Sequence, residues 1–324
     1  MADRLEHEEL LDLRLRADYR DGLLPHLRTA YGATVGGRYR VANLLAAGRQ
    51  SYVFAAVDLE NGAPVVVKQP AFDYRHPVRI DRRAAGAARA ALETERRVLD
   101  ACGTGELPRA IQLLTAPAIV ESAGLCRALG GEELFLIEEK IEGRPLRDVA
   151  FHEGRDWPPA EKEALASRFA GRFLAFWESL RDAGWFYADI SPGNLLVEQS
   201  TRRLRVVDAG CACPAAPRVR LRGLTPAFTT PNIYEAFESG RHVEGTAAAV
   251  LPPLAKVLHF FLTLREPLNG SRSATDDGSL DQYSPGCRQA LEAMLCLDAR
   301  PETLPAARSA IESWNGRDEN RVGA

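Results

Sequence analysis

The stretch Tyr187-Ala188-Asp189-Ile190-Ser191-Pro192-Gly193-Asn194-Leu195-Leu196-Val197 constrains the fold of this chain more than any other. It sets an acid and, five residues later, an amide directly before an apolar run that reads as a strand. A second strand candidate, Leu204–Val207, ends on the acid of Val206-Val207-Asp208-Ala209-Gly210. Either piece alone reads as a turn that happens to hold an acid. Together, at hairpin spacing and with strands around them, they read as parts of one site.

The rest of the chain divides by pattern. Residues 5–30 are rich in Leu, Glu and Arg, and Leu10, Leu11, Leu13, Leu15, Leu23 and Leu24 have partial helical periodicity. One or two helices that pack on the main domain are expected there, with a partner-docking role as the alternative. After Gly36-Gly37 come short β-like runs, Tyr39–Leu45, Tyr52–Asp58 and Pro64–Gln69, with a turn at Asn61-Gly62 between the last two. This spacing predicts an antiparallel meander. Arg79–Ala101 has the composition of a helix, Ala110–Leu114 and Glu133–Glu138 read as strands, and Glu142–Pro145 reads as a turn. From Pro158 the pattern is mainly helical, with a polar loop over Asn269–Gly286 and a frayed polar tail after Trp314.

Composition excludes several classes. A chain of 324 residues with 46% hydrophobic and 26% charged residues can bury a large core, and a net charge of -3 gives no reason to expect nucleic acid as a partner. No run approaches the roughly 18 apolar residues of a membrane span. The N-terminus carries acids throughout, unlike a signal peptide, so the cytoplasm is the expected location. Six scattered cysteines make no disulfide framework, and Cys211 and Cys213 read as free thiols rather than a metal pair. Of 41 basic residues only Lys68, Lys140, Lys162 and Lys256 are lysines, so a lysine here is a less ordinary choice than elsewhere.

The stretch around Asp189 resembles the catalytic loop of protein kinases, H-R-D followed by Asn and an apolar strand. The resemblance implies that Asp189 orients an acceptor hydroxyl and takes its proton, and that Asn194 binds a metal ion. Val206–Gly210 looks like the D-F-G element, with Asp208 bridging Mg2+ to nucleotide phosphates. Val65-Val66-Val67-Lys68 resembles V-A-I-K, a compact ammonium for phosphate oxygens. Its partner is expected on the Arg79–Ala101 helix at Glu95, with Glu93 as the fallback. Leu44–Val53 matches the Gly-rich loop only at Gly48 and Val53, with Ala46 and Ser51 in the outer glycine places. Leu134–Gly143 resembles the hinge, where Glu139 and Lys140 offer backbone contacts to adenine and Glu138 takes the place of an apolar gatekeeper. Thr225-Pro226 through Glu235 resembles the end of an activation segment, and Leu297–Pro301 the late arginine motif.

Residues 38–313 share in this likeness. It implies an α+β, two-lobed protein-kinase-like fold with a small β-rich N-lobe and a larger, mostly helical C-lobe. The expected division is an N-terminal helical extension over 1–36, an N-lobe over 37–145, a C-lobe over 146–313 and a tail over 314–324. The cofactors implied are ATP and Mg2+.

The pattern also departs from that family. Tyr187 and Ala188 replace His and Arg, Ser191 stands in place of a lysine, Ala209 replaces Phe, and Val250 falls where a buried Asp is usual. Arg218, Arg220 or Arg222 could supply the charge missing at Ser191. A pseudokinase that presents a peptide to an enzyme is therefore an alternative.

The run Asp-x-Ser-Pro-x-Asn, with the extended V-V-V-K-Q-P strand end, looks like the kinase domain of class III and IV lanthipeptide synthetases. That likeness implies a ribosomally made precursor peptide as the Ser/Thr phosphate acceptor, with lyase and cyclase activities on separate polypeptides. The same stretch also resembles aminoglycoside and choline phosphotransferases, which act on small molecules.

Overall fold

A computed structural model describes residues 27–48, 50–71, 82–102, 105–120, 132–265, 278–298 and 300–319. Most of the expected N-terminal helices, together with Arg49, the start of the Arg79–Ala101 helix, the first half of the Asn269–Gly286 loop, Ala299 and the last five residues, lie outside them. The chain divides into two units. The first runs to Asp100 and includes Pro108–Ile141; the second takes Ala101–Leu107 and everything from Glu142.

The first unit is built on one antiparallel sheet. Its strands are β1 (Thr34–Val35), β2 (Tyr39–Ala47), β3 (Ser51–Asp58), β4 (Pro64–Pro70), β5 (Ala110–Pro117) and β6 (Glu132–Glu139), in the order β1-β2-β3-β4-β6-β5. Alternation decides its faces. Val65 and Val67 of β4 and Phe135 and Ile137 of β6 point into a core shared with Val41, Leu44, Phe54 and Ala56. Lys68 and Glu138 therefore belong to the opposite face. Leu27 and Ala30, from the segment read as a helical extension, are fully buried in the same core, and Thr34–Val35 adds a strand to the sheet.

Helix α1 (Arg82–Ala101) consists mainly of strong helix formers. Ala88, Ala91, Leu92, Glu95, Val98 and Leu99 are buried at intervals of three or four residues and so form one face, with Thr94 buried beside Glu95. Glu95 is on that face, whereas Glu93 is exposed.

The second unit is mainly helical, with α2 (Pro159–Asp182), α3 (Pro231–Glu238), α4 (Leu251–Thr263), α5 (Pro285–Cys296) and α6 (Leu304–Glu319). Between the helices run short strands: β7 (Gly143–Pro145), β8 (Trp185–Phe186), β9 (Leu195–Glu198), β10 (Leu204–Val206), β11 (Cys213–Pro214), β12 (Arg218–Val219) and β13 (Val243–Glu244). They form a three-stranded sheet, β10-β9-β7, and two ribbons, β11-β8 and β12-β13. Residues 101–107 join this unit because the Val206 amide donates to the Glu106 carbonyl at 2.7 Å and Arg205 to that of Leu107 at 3.0 Å.

The β-rich first part and helical later part agree with the α+β expectation. Three local readings are corrected. Gly143–Pro145, expected as a turn, is strand β7 paired with β9. Only glycine fits its first position, because a Cβ on Gly143 would stand 2.7 Å from the Val197 carbonyl oxygen. The expected loop to Gly286 stops earlier, since α5 begins at Pro285 with the Ser284 hydroxyl capping the Cys287 amide at 3.1 Å. The tail expected to fray after Trp314 continues as helix to Glu319, with the Trp314 ring buried. Among the described residues no helix is long and apolar enough to cross a membrane.

Candidate active site

In the first unit the site grows out of β4. Lys68 is the fifth of its seven residues and is 3% exposed. Its Nζ donates to Glu95 Oε1 at 2.7 Å, so the structure joins the lysine and helix acid that the sequence pairs. A second acid stands at the same nitrogen, Glu138 Oε2 at 3.1 Å. Register explains it. Glu138 lies opposite Val66 in the β4–β6 ladder, so on their common face it is the diagonal neighbour of Lys68. The carboxylate that breaks the gatekeeper pattern is thus a partner of the lysine, and both acids are buried.

The remaining positions of this unit expected to meet nucleotide are set by the sheet. Gly48 closes the β2–β3 hairpin, its amide donating to the Ser51 carbonyl at 2.9 Å. Ala46 pairs with Val53 across that hairpin, next to a register shift at Leu44–Ala46. Ser51 is buried and Val53 half-buried. At the end of β6 the Glu139 amide donates to the Arg109 carbonyl at 2.9 Å, and the Glu139 carboxylate accepts from the Arg109 amide at 3.2 Å. These polar groups of Glu139 already serve the fold; Lys140 follows directly after the strand.

In the second unit Asp189 leads from β8 toward β9. The Tyr187 hydroxyl donates to the Asp189 carbonyl at 2.7 Å, and Asn194 Nδ2 donates to the same oxygen at 3.0 Å. A carbonyl accepts only from the amide nitrogen, so this contact orients the Asn194 side chain and turns its Oδ1 away. Ser191 holds the turn, its hydroxyl accepting the Asn194 amide at 3.3 Å. The Asp189 carboxylate accepts from the Thr225 hydroxyl at 2.8 Å. Burial raises its pKa above the ordinary Asp range, the Thr225 hydroxyl draws it back, and the nearby Asp208 charge raises it again. Cys211 and Asn194 also hold the charged form.

Asp208 follows β10 in a left-handed conformation, φ 65°, which short polar side chains tolerate better than others. The amide of the preceding residue, Val207, donates to the Asn194 carbonyl at 2.9 Å and ties the two loops together. Asp208 and Asn194 thus offer two hard oxygen ligands in one unit. Among the described residues no cluster of three or more His, Cys, Asp or Glu side chains could hold a metal alone. A pair of oxygens suits Mg2+, which keeps waters and takes substrate phosphates as its other ligands.

Three further side chains support the site through contacts that local sequence does not display. Thr225 contacts Asp189 across 36 positions of the chain. The Tyr187 hydroxyl does work that was not assigned to it. Lys256, one of four lysines, is buried on α4 and donates to the Thr229 carbonyl at 2.6 Å, while burial lowers its pKa. Its rarity in this composition was the available signal.

The chain is 24% identical over 240 residues to a probable serine/threonine-protein kinase of Corynebacterium efficiens, covering 73% of this chain and 32% of that protein. It is 29% identical over 185 residues to serine/threonine-protein kinase PknA of Mycobacterium tuberculosis, covering 56% and 37%. To CBL-interacting protein kinase 22 of Oryza sativa subsp. japonica it is 29% identical over 214 residues, covering 61% and 43%. The chain thus spans less than half the length of the curated relatives it matches. No protein-family model matches it. These distant likenesses to Ser/Thr kinases support a place in the protein-kinase-like superfamily.

Proposed function

We propose that the chain is an ATP-dependent kinase that transfers the γ-phosphoryl group to a Ser/Thr hydroxyl of a ribosomally synthesised precursor peptide, in lanthipeptide-type biosynthesis. The observation that carries this reading is the Asp189 carboxylate. It is buried, fixed by the Thr225 hydroxyl, and pushed toward higher pKa, which makes it a stronger proton acceptor than an exposed aspartate. In this reading Asp189 orients the acceptor hydroxyl and takes its proton as the new O–P bond forms and the bond to the leaving ADP breaks. Lys68, held by Glu95, neutralises phosphate charge. Ala46, Gly48, Ser51 and Val53 bring the backbone of the hairpin to the nucleotide, and Glu139 and Lys140 meet the base. Asp208 and Asn194 hold Mg2+, which when bound neutralises charge that develops during transfer.

Incubation of the protein with Mg-ATP and its cognate peptide should add a phosphate mass, lost in Asp189→Asn. An unchanged peptide mass with the wild-type protein would refute the reading.

One observation favours a second reading, a nucleotide-binding scaffold that presents peptides without turning over. Glu138 sets a second carboxylate on the lysine assigned to phosphates. Mg-dependent ATP binding with no turnover on any peptide would select it.

A further inference from the structure

The segment Arg218-Val219-Arg220-Leu221-Arg222 alternates arginine with an apolar residue. Val219 and Leu221 are buried while all three arginines are exposed, the alternation of an extended chain with one face down. At about 3.3 Å per residue the three guanidinium stems follow each other at roughly 6–7 Å. With Cys213 and Pro214 the segment lines a cavity of about 380 Å3.

Its position is fixed from below. β12 pairs with β13, and the Gly245 amide donates to the Pro217 carbonyl at 3.0 Å. A Cβ on Gly245 would stand 1.9 Å from the Ala216 carbonyl oxygen, so the close approach needs glycine. Among the described residues neither Arg218 nor Arg220 is in an ion pair, and the acid opposite Arg218 in the ribbon, Glu244, makes none with it. Along the chain, the residues lining the cavity are flanked by two that bond Asp189. Cys211, two residues before Cys213, bonds the Asp189 carboxylate, and so does Thr225, three residues after Arg222.

We propose that this arginine row is a docking site for an extended acidic segment of the acceptor peptide, with glutamate or aspartate at alternate positions meeting Arg218, Arg220 and Arg222. An extended peptide repeats its side chains on one face at the spacing of the row, and charge complementarity gives it three cations in a net acidic protein. The inference rests on the kinase reading and names its substrate class: a Ser/Thr peptide rich in acids beside the acceptor.

The test uses a Ser-containing peptide with glutamates at alternate positions and the same peptide with glutamines. For each, kcat/KM with Mg-ATP and direct binding by fluorescence anisotropy without nucleotide are measured. The wild type should favour the glutamate peptide by about tenfold in both, the sum of three modest exposed pairs, and less at high salt. R218Q/R220Q/R222Q should bring the ratio to about one, whatever its basal rate, and R218K/R220K/R222K should keep it.

Equal use and binding of the two peptides by the wild type, or a preference that survives in the glutamine variant, overturns the proposal. If neither peptide gains phosphate, the binding arm still decides. A tenfold difference lost in the glutamine variant upholds the docking site while sinking the phosphoryl-transfer reading, and equal binding sinks the docking site.

Discussion

Lys68→Met tests the buried charge cluster of the first unit. Glu95 and Glu138 both lie about 3 Å from the Lys68 nitrogen, so their oxygens are less than about 6 Å from each other. At an effective dielectric near 20, each attraction is worth roughly 5 kcal/mol and the repulsion between the acids roughly 3 kcal/mol. Taking each ion out of water costs several kcal/mol more. Glu138→Gln loses one attraction but also one repulsion and one desolvated charge, so it should stay within about 2 kcal/mol of the wild type. Lys68→Met loses both attractions and leaves two like charges buried together. It should cost about 3–5 kcal/mol, the range for breaking a buried pair. Urea denaturation gives the two free energies, and hydrogen exchange over residues 64–70 and 132–139 localises them to β4 and β6. A Lys68→Met protein within about 1 kcal/mol of the wild type, or no less stable than Glu138→Gln, would refute the three-charge account.

Asp189→Asn should lower phosphoryl transfer on the order of 10²-fold or more while sparing Mg-ATP affinity, and Asp208→Asn should weaken Mg-dependent nucleotide binding itself. Steady-state kinetics and calorimetry separate the two, and full activity of both variants would end the site assignment. Thr225→Val removes a hydrogen bond that lowers the Asp189 pKa, so the acidic limb of kcat should move to higher pH and Thr225→Ser should restore it; a limb that stays in place refutes the contact. Because the native pKa of Asp189 is raised, the folded form binds the extra proton. This residue's contribution to stability is therefore full below about pH 4 and is lost as pH rises through the native pKa, a slope that Asp189→Asn should remove from pH-dependent denaturation. Tyr187→Phe deletes a buried donor to the Asp189 carbonyl and should cost about 1 kcal/mol in thermal unfolding, with an unchanged midpoint counting against that bond.

Much of the candidate site is local in sequence and so was legible there. Asp189 and Asn194 share one turn, and Asp208 follows the second of the two strands after it. Lys68 could be singled out because it ends the apolar run Val65-Val66-Val67 and because lysine is rare in this chain. Glu95 over Glu93 follows from helical periodicity, since only Glu95 falls in line with Leu92, Val98 and Leu99. The two-residue strands β1, β8, β11, β12 and β13 were not legible, because two residues carry no period; each exists only through its partner.

What the sequence determined by itself was the order of β-rich and helical parts and the chemistry carried by short, nearby groups. Tertiary structure decided which distant groups complete them. Glu138 meets Lys68 through the register of two strands 70 positions apart in the chain, and Thr225 reaches Asp189 across 36 positions. The physical reason is that strand pairing and burial bring groups together by the faces they share. A sequence displays the alternation of those faces but not their partners.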